Sequence, residues 1–223
     1  MSTALGASEA TGDYSTSMGW LTNATGTTST AMGIDTTASG NDSTSMGNTT
    51  TASGQSSTAM GHQTEASGYG STSTGMSTSA TGYISTAMGR NTKAIGDYTT
   101  AMGHETTASD YNSLVVGQFN LAGSTVTSSG TEFNLENTAF VIGNGTQVRQ
   151  FPDRSDALVV KFNGDATLAG NLNINSDARL KANIISLGST LSKLLQIDGK
   201  SYTMKKDESE KQKIGLLAQD IEK

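Results

Sequence analysis

The sequence contains no cysteine, a single proline, 5% aromatic and 15% charged residues in a chain of 223. Without cysteine, a disulfide framework and a thiolate metal site are excluded. The net charge is -6 and there is no long basic run to neutralise phosphates, so we expect no nucleic-acid partner. No apolar run approaches the length of a membrane span, so we expect no membrane insertion. Low charge and little proline also distinguish the chain from typical disordered sequences.

Glycine is abundant and periodic instead. It recurs every seventh residue from Gly12 to Gly103, Asp110 takes the next position, and Gly117 ends the series in phase. Alanine or serine stands two residues before nearly every glycine, and serine or threonine four before. Methionine precedes alternate glycines, which makes the true repeat fourteen residues long. These methionines are Met18, Met32, Met46, Met60, Met88 and Met102.

A period of seven is also typical of coiled coils, but glycine costs about 1 kcal/mol at each helical position and the frequent threonines add to that penalty. Short runs of small residues ending in glycine instead predict a strand and a tight turn. Stacked units of this kind form a solenoid that is ordered by backbone hydrogen bonds. We expect the methionines to fill its narrow interior.

The unit "STAMGIDTTASGND", Ser29–Asp42, resembles the head repeats of trimeric autotransporter adhesins over residues 1–117. The resemblance implies a left-handed β-roll that assembles as a homotrimer. The family often has valine three residues before the first glycine of its unit, where this chain has threonine. We therefore expect a more polar interior and a greater need for trimerisation. The threonines are Thr16, Thr30, Thr44, Thr58, Thr86 and Thr100.

The two residues after each glycine vary most and are expected to face solvent. Trp20, Tyr69, Tyr83 and Tyr98 are our candidate receptor-binding residues, because aromatic turn tips make good contacts. The alternative is that these large side chains only cover turn backbone. His62 and His104 lie three coils apart and are interpreted as surface histidines. The calcium-binding pattern GGxGxD is absent, and we predict neither a metal site nor a cofactor.

The pattern changes after residue 117. Residues 118–175 contain β-branched and aromatic runs ended by glycine, which predict a β-rich connector and stem. In residues 176–223 leucines and isoleucines at helical spacing follow Asp177, and Gly199 ends the predicted helix. "KSYTMK" and the start of "KIGLLAQDIEK" predict strands. The basic face of the predicted helix is interpreted as solvated rather than as a nucleic-acid or membrane patch. We thus predict an all-β chain with a short α+β C-terminal segment.

One constellation has catalytic potential. Ser176 and Asp177 are followed by Lys181, and a lysine kept neutral by burial can take the proton of a serine nucleophile. The segments "SDARLKANI", "LSKLLQIDGKSYTMK" and "KIGLLAQDIEK" resemble, in order, the start of the self-cleaving intramolecular chaperone domain of phage tail spikes and endosialidases. The resemblance implies a Ser176–Lys181 dyad, a shaping role for Asp177 and one cleavage at Ser176. Known members extend further, so we expect no self-cleavage in the 223-residue form.

These features predict a trimeric tail fibre of a phage or phage-like particle that binds a host-cell receptor, either glycan or protein. The alternative is the head of a bacterial cell-surface adhesin, and neighbouring genes would distinguish the two. The start, MSTALGASEATG, lacks an export signal, which favours the extracellular virion location. A third hypothesis, an ice-binding threonine face, is tested by thermal hysteresis. Apart from a single-turnover self-cleavage we expect no enzyme activity, because no carboxylate cluster lies near the aromatic turns.

Overall fold

The computed structural model describes residues 1–121, 129–148, 151–171, 199–202 and 213–215. Contacts divide the chain into two compact units, Met1–Leu172 and Asn173–Lys223. The described residues form strands and turns without a helix. The strands of the first unit are β1 (Thr3–Ala10), β2 (Thr16–Ala24), β3 (Thr30–Ile34), β4 (Thr37–Ala38), β5 (Thr44–Asn48), β6 (Thr51–Ala52), β7 (Thr58–His62), β8 (Glu65–Ala66), β9 (Thr72–Met76), β10 (Ser79–Ala80), β11 (Thr86–Arg90), β12 (Lys93–Ala94), β13 (Thr100–His104), β14 (Thr107–Ala108), β15 (Leu114–Gln118), β16 (Thr138–Asn144), β17 (Thr146–Val148), β18 (Phe151–Asp153), β19 (Asp156–Lys161) and β20 (Ala166–Leu168).

The head is a β-solenoid in which a five-residue and a two-residue strand alternate. From β2 to β13 each strand pairs in parallel with the strand fourteen residues further on, as Thr30 with Thr44 and Thr37 with Thr51. The first coil is one residue short, and a shift in register between Ala7 and Ser8 accommodates the difference. The predicted all-β solenoid with a fourteen-residue repeat is confirmed.

The periodic glycines permit coils to stack this closely. The glycines form two columns along the stack, one through Gly19 and Gly33 and the other through Gly40 and Gly54. At Gly54 an added Cβ would lie closer than 3 Å to the carbonyl oxygen of Gly68 in the next coil, and the other glycines of both columns meet a backbone carbonyl oxygen in the same way. The positive φ of the turns is found mainly elsewhere, at the second residue after each column position, such as Asp42 with φ 59°. The glycines before these residues are therefore required by steric contact between coils, with positive φ added at the methionine-glycine turns.

Alanine forms the core. Ala31 and Ala38, from the two strands of one coil, are fully buried in one cluster. The other coils repeat this arrangement, with Ser17, Ser45 or Ser73 in place of the first alanine in three of them. Between Ala80 and Val141 the buried alanines and two valines form one continuous cluster. The interior thus lies between the two strand rows and is too thin for larger side chains.

The prediction that methionine fills this interior is wrong. Side chains alternate along a strand, and Ser29 and Ala31 point inward, so Thr30 and Met32 lie on the outer face. Met18, Met88 and Met102 remain 39–40% exposed in the single chain. The threonines that replace the family's valine are on this same outer face, so they do not make the interior more polar.

The interior polarity comes from a different set of hydroxyls. Ser17, Ser45 and Ser73 each hydrogen-bond the hydroxyl of the threonine five residues later, at 2.7–2.8 Å. Where alanine occupies the serine position, that threonine hydroxyl is buried with no hydrogen-bond partner among the described residues. These threonines are Thr36, Thr64, Thr92 and Thr106.

The last coil is closed by residues that break the repeat. Asp110, buried in the glycine column, accepts a hydrogen bond from the Thr138 amide at 2.7 Å, where β16 begins. The Asn120 side chain bonds both backbone groups of Thr107 and so replaces the next short strand.

Strand β16 pairs in parallel with β15, and the antiparallel strands β19 and β20 follow it in the same sheet. The head stack therefore continues past residue 117 and ends against an antiparallel layer, which covers the edge of β16. The boundary predicted between residues 117 and 118 stays a prediction from the repeat pattern.

In the second unit, β21 (Lys200–Tyr202) and β22 (Lys213–Gly215) form an antiparallel pair. Both fall within the segments predicted as strands. The helix predicted after Asp177 lies outside the described residues.

Because some interior threonine hydroxyls are paired and others are not, we expect the change from threonine to valine to have opposite effects on stability at two equivalent positions. Thr36→Val removes a buried hydroxyl without a partner, so we expect the free energy of unfolding to rise by about 1 kcal/mol. Thr78→Val leaves the Ser73 hydroxyl unpaired, so we expect it to fall by about 1–2 kcal/mol. Guanidinium denaturation of both variants measures this. Equal shifts in the same direction would show that hydroxyl pairing does not control stability here.

Candidate functional site

Four tyrosines form a ladder along one edge of the head. Tyr69 and Tyr83 stack with ring centroids 5.0 Å apart and an interplanar angle of 8°. Tyr83 meets Tyr98, and Tyr98 meets Tyr111, edge to face at 5.4 Å. The rings come from equivalent turns in four successive coils, so the predicted stripe of Tyr69, Tyr83 and Tyr98 is present and extends to a fourth ring.

Within the ladder each tyrosine ring packs against the neighbouring rings. Such aromatic pairs each contribute about 0.5–1.5 kcal/mol beyond the area they bury. Tyr69, Tyr83 and Tyr98 nevertheless remain 40–45% exposed. Desolvation, together with the nearby Tyr83, Tyr111 and Asp97, raises the pKa of the Tyr98 hydroxyl above its ordinary value, so this hydroxyl keeps its proton at neutral pH.

Trp20 lies at the other edge of the solenoid. It follows Gly19, whereas the tyrosine ladder follows the second glycine column, and its ring is 60% exposed. Its register neighbour in the next coil is Ile34, which is also exposed. Trp20 and the tyrosines therefore cannot form one contiguous site on a single chain.

The two histidines also stand at the Trp20 edge. Strand register places His62, Met76, Arg90 and His104 in successive coils, which confirms the three-coil separation of the histidines. His104 packs edge to face on Phe119 at 4.7 Å. Within the described ranges no cluster of three or more His, Cys, Asp or Glu side chains could hold a metal ion. No helix among those residues has the length and hydropathy to cross a membrane.

The predicted catalytic residues Ser176, Asp177 and Lys181 lie outside the described residues. Their roles stay predictions from the resemblance. Tyr111 is the one ladder member that the sequence analysis missed. It follows Asp110, and counting Asp110 as a member of the glycine column would have placed Tyr111 in register with Tyr83.

Two family models match separate parts of the chain. The YadA head domain repeat, in its two-copy form, matches residues 24–50, 52–78, 80–106 and 94–120. The family described as chaperone of endosialidase matches residues 176–223. No curated protein matches the chain.

These matches agree with the solenoid and with the two resemblances seen in the sequence. Adhesin heads and tail-fibre chaperones belong to extracellular, surface-exposed proteins. The chain therefore combines YadA-type head repeats with a match to the endosialidase chaperone family, and the two matches together support a protein of the trimeric adhesin or tail-fibre type.

Proposed function

We propose that the chain is part of a homotrimeric tail fibre of a phage or phage-like particle, in which the head binds a host-cell receptor and the C-terminal segment serves as a trimerisation chaperone. The observation that carries this proposal is the joint occurrence of head repeats and an endosialidase chaperone match in one chain. The chaperone resembles those of phage tail spikes, which favours a virion over a bacterial surface.

The outer face of the long strands supplies the trimer interface in this proposal. It carries one threonine column and one methionine column, and the latter continues through Val116 and Ile142. Methionine adapts to irregular contacts, and covering it removes apolar surface from water. The face of the short strands carries serine, threonine and charged residues and stays in solvent.

Recognition uses the turn edges, which remain outside such an interface. The stacked tyrosines form a rigid row whose hydroxyls and outer ring edges are left for a ligand. Trp20 offers a second, separate contact near the first coils. A receptor with repeating hydrogen-bonding groups, such as a glycan, fits the spacing of the tyrosine row.

Assembly precedes cleavage in this proposal. Lys181 acts as a general base only when it is neutral, and burial lowers a lysine pKa because it disfavours the charged form. Closure of the trimer around the Ser176–Lys181 dyad would therefore activate it, so that cleavage reports correct assembly.

Adsorption to host cells tests the recognition role. We expect the triple variant Tyr69→Phe, Tyr83→Phe, Tyr98→Phe to lose at least tenfold in adsorption, because it keeps the stacked rings and lacks the hydroxyls. Its melting temperature should stay within about 2 °C of the parent, since the ring packing is retained. Unchanged adsorption would exclude the tyrosine row from recognition.

Sedimentation equilibrium tests the trimer and its interface. We expect three chains at micromolar concentration, and weakened association for Met32→Glu, which places a charge in the methionine column. Thr37→Glu adds the same charge to the other face of the same coil and should leave the trimer intact. A folded monomeric parent would contradict the trimer, and equal effects of the two variants would contradict this interface.

Mass spectrometry tests self-cleavage. In a chain with the complete chaperone domain we expect one cut at Ser176 that appears only with the trimer. Ser176→Ala removes the nucleophile and Lys181→Ala the base, so both should abolish the cut. Cleavage that proceeds equally well in either variant would remove the dyad from the mechanism.

A further inference from the structure

A polar cavity of about 340 Å³ lies on the head near its last coils. Its walls come from three successive coils and from the segment that closes the stack. The lining residues are Ser77, Asn91, Lys93, Glu105, Thr107 and Arg154. Ser77, Asn91 and Glu105 occupy the same turn position in successive coils, and Lys93 is paired with Thr107 in register.

Hydrogen bonds hold one wall of this cavity in place. Arg154 contacts the Glu105 carboxylate at 2.8 Å and donates to the Glu105 carbonyl at 2.9 Å. The Asn91 amide donates to the other carboxylate oxygen at 2.8 Å. Arg154 also stands over the Phe119 ring, 6.0 Å from its centroid. The wall is thus formed before any ligand arrives, which lowers the cost of binding.

Lys93 gives the cavity a positive charge that no ion pair among the described residues neutralises. The charges of Arg154 and Glu105 compensate each other within their ion pair. Within the described part of the chain, the exposed Lys93 ammonium has no ion pair. The carboxylate in its own column is Glu65, two coils away with Ser79 between them, which corresponds to about 9–10 Å between strands. The lining therefore has a net positive charge, although the net charge of the protein is -6.

The size and the lining select one class of ligand. The volume is at the small end of the range for small-molecule sites and suits a single sugar ring. Hydroxyl groups of Ser77 and Thr107 and the amide of Asn91 match ring hydroxyls, and Lys93 matches a carboxylate. We propose that this cavity binds one carboxylated sugar unit of a host-surface polysaccharide, with its carboxylate paired to Lys93.

The cavity also stays open in the proposed assembly. Lys93 and Thr107 belong to the short strands β12 and β14, whereas the methionine column lies on the long strands. Ala31 and Ala38 pack together inside a coil, so the two strand rows face each other across the core and their outer faces point apart. The inference rests on the proposed receptor-binding role only in naming a host-surface polysaccharide as the source of the sugar. Binding of the sugar to the cavity is measured directly.

The test titrates the full chain with D-glucuronic acid as the probe and with D-glucose as its neutral counterpart. Ligand-observed NMR measures the binding of each sugar. We expect saturable binding of glucuronic acid with a Kd of roughly millimolar order, as suits a ligand of this size. Glucose should bind at least tenfold more weakly. Lys93→Gln should weaken glucuronic acid at least tenfold, whereas Arg90→Gln, the same charge change outside the lining, should alter it less than twofold.

Two results would overturn the proposal: equal affinity for the neutral and acidic sugars, or glucuronic acid binding that Lys93→Gln leaves unchanged. Lys93 is exposed and in a turn-proximal strand, so its variant should keep the parental melting temperature, which circular dichroism checks. Host adsorption measured in parallel separates the two proposals. Tyrosine-dependent adsorption without glucuronic acid binding rejects the cavity and leaves the receptor-binding role intact.

Discussion

Contact between glycine backbones of successive coils is the constraint on which the rest of this structure depends. At most positions of both columns the space where a Cβ would lie is taken by the carbonyl oxygen of the glycine fourteen residues on. That approach lets strands pair along the whole stack, so backbone hydrogen bonds supply the order that an alanine core alone could not. It also fixes the turns, since fifteen non-glycine residues of the described chain have positive φ, each at the second position after a column residue.

The thin interior of the solenoid places its large and charged side chains on the surface. Only small side chains fit between the two strand rows: alanine, serine and threonine along the stack, and valine in its last coils. The methionines, the tyrosines, Trp20 and the charged residues of the described head other than the buried Asp110 therefore occupy outer positions. The repeat then converts a sequence position into a column: methionines on one face, polar residues on the other, and aromatic rings along a turn edge. In the proposed function each surface has a separate task, which is assembly for the methionine face and recognition for the edges and the polar face. In that proposal the separation lets so small a core support a fibre.

Much of the fold could be predicted because its determinants are periodic. The glycine spacing predicts the turns and the fourteen-residue stacking, and the same register predicts the stripe of Tyr69, Tyr83 and Tyr98. The direction of the methionines was predicted wrongly, although the inward serine and alanine two residues apart determine it through strand alternation. The bonds that close the stack could not be predicted at all. Arg154 meets Glu105 across 49 positions, and Asp110 meets Thr138 across 28, without any repeat to indicate either pairing.

The central claim is tested most directly by comparing the stability of Gly54→Ala and Gly70→Asn. Gly54 has no positive φ, so alanine there is disfavoured by contact with the next coil, in which the carbonyl groups of Gly68 and Ser67 lie within 3 Å of the added Cβ. Gly70 has φ 61° but lies outside the columns, at the position that Asp42 and Asn112 occupy in other coils. The account predicts that Gly54→Ala costs at least about 3 kcal/mol or abolishes cooperative unfolding, whereas Gly70→Asn stays within about 0.5 kcal/mol of the parent. A Gly54→Ala protein as stable as the parent in guanidinium denaturation would contradict it.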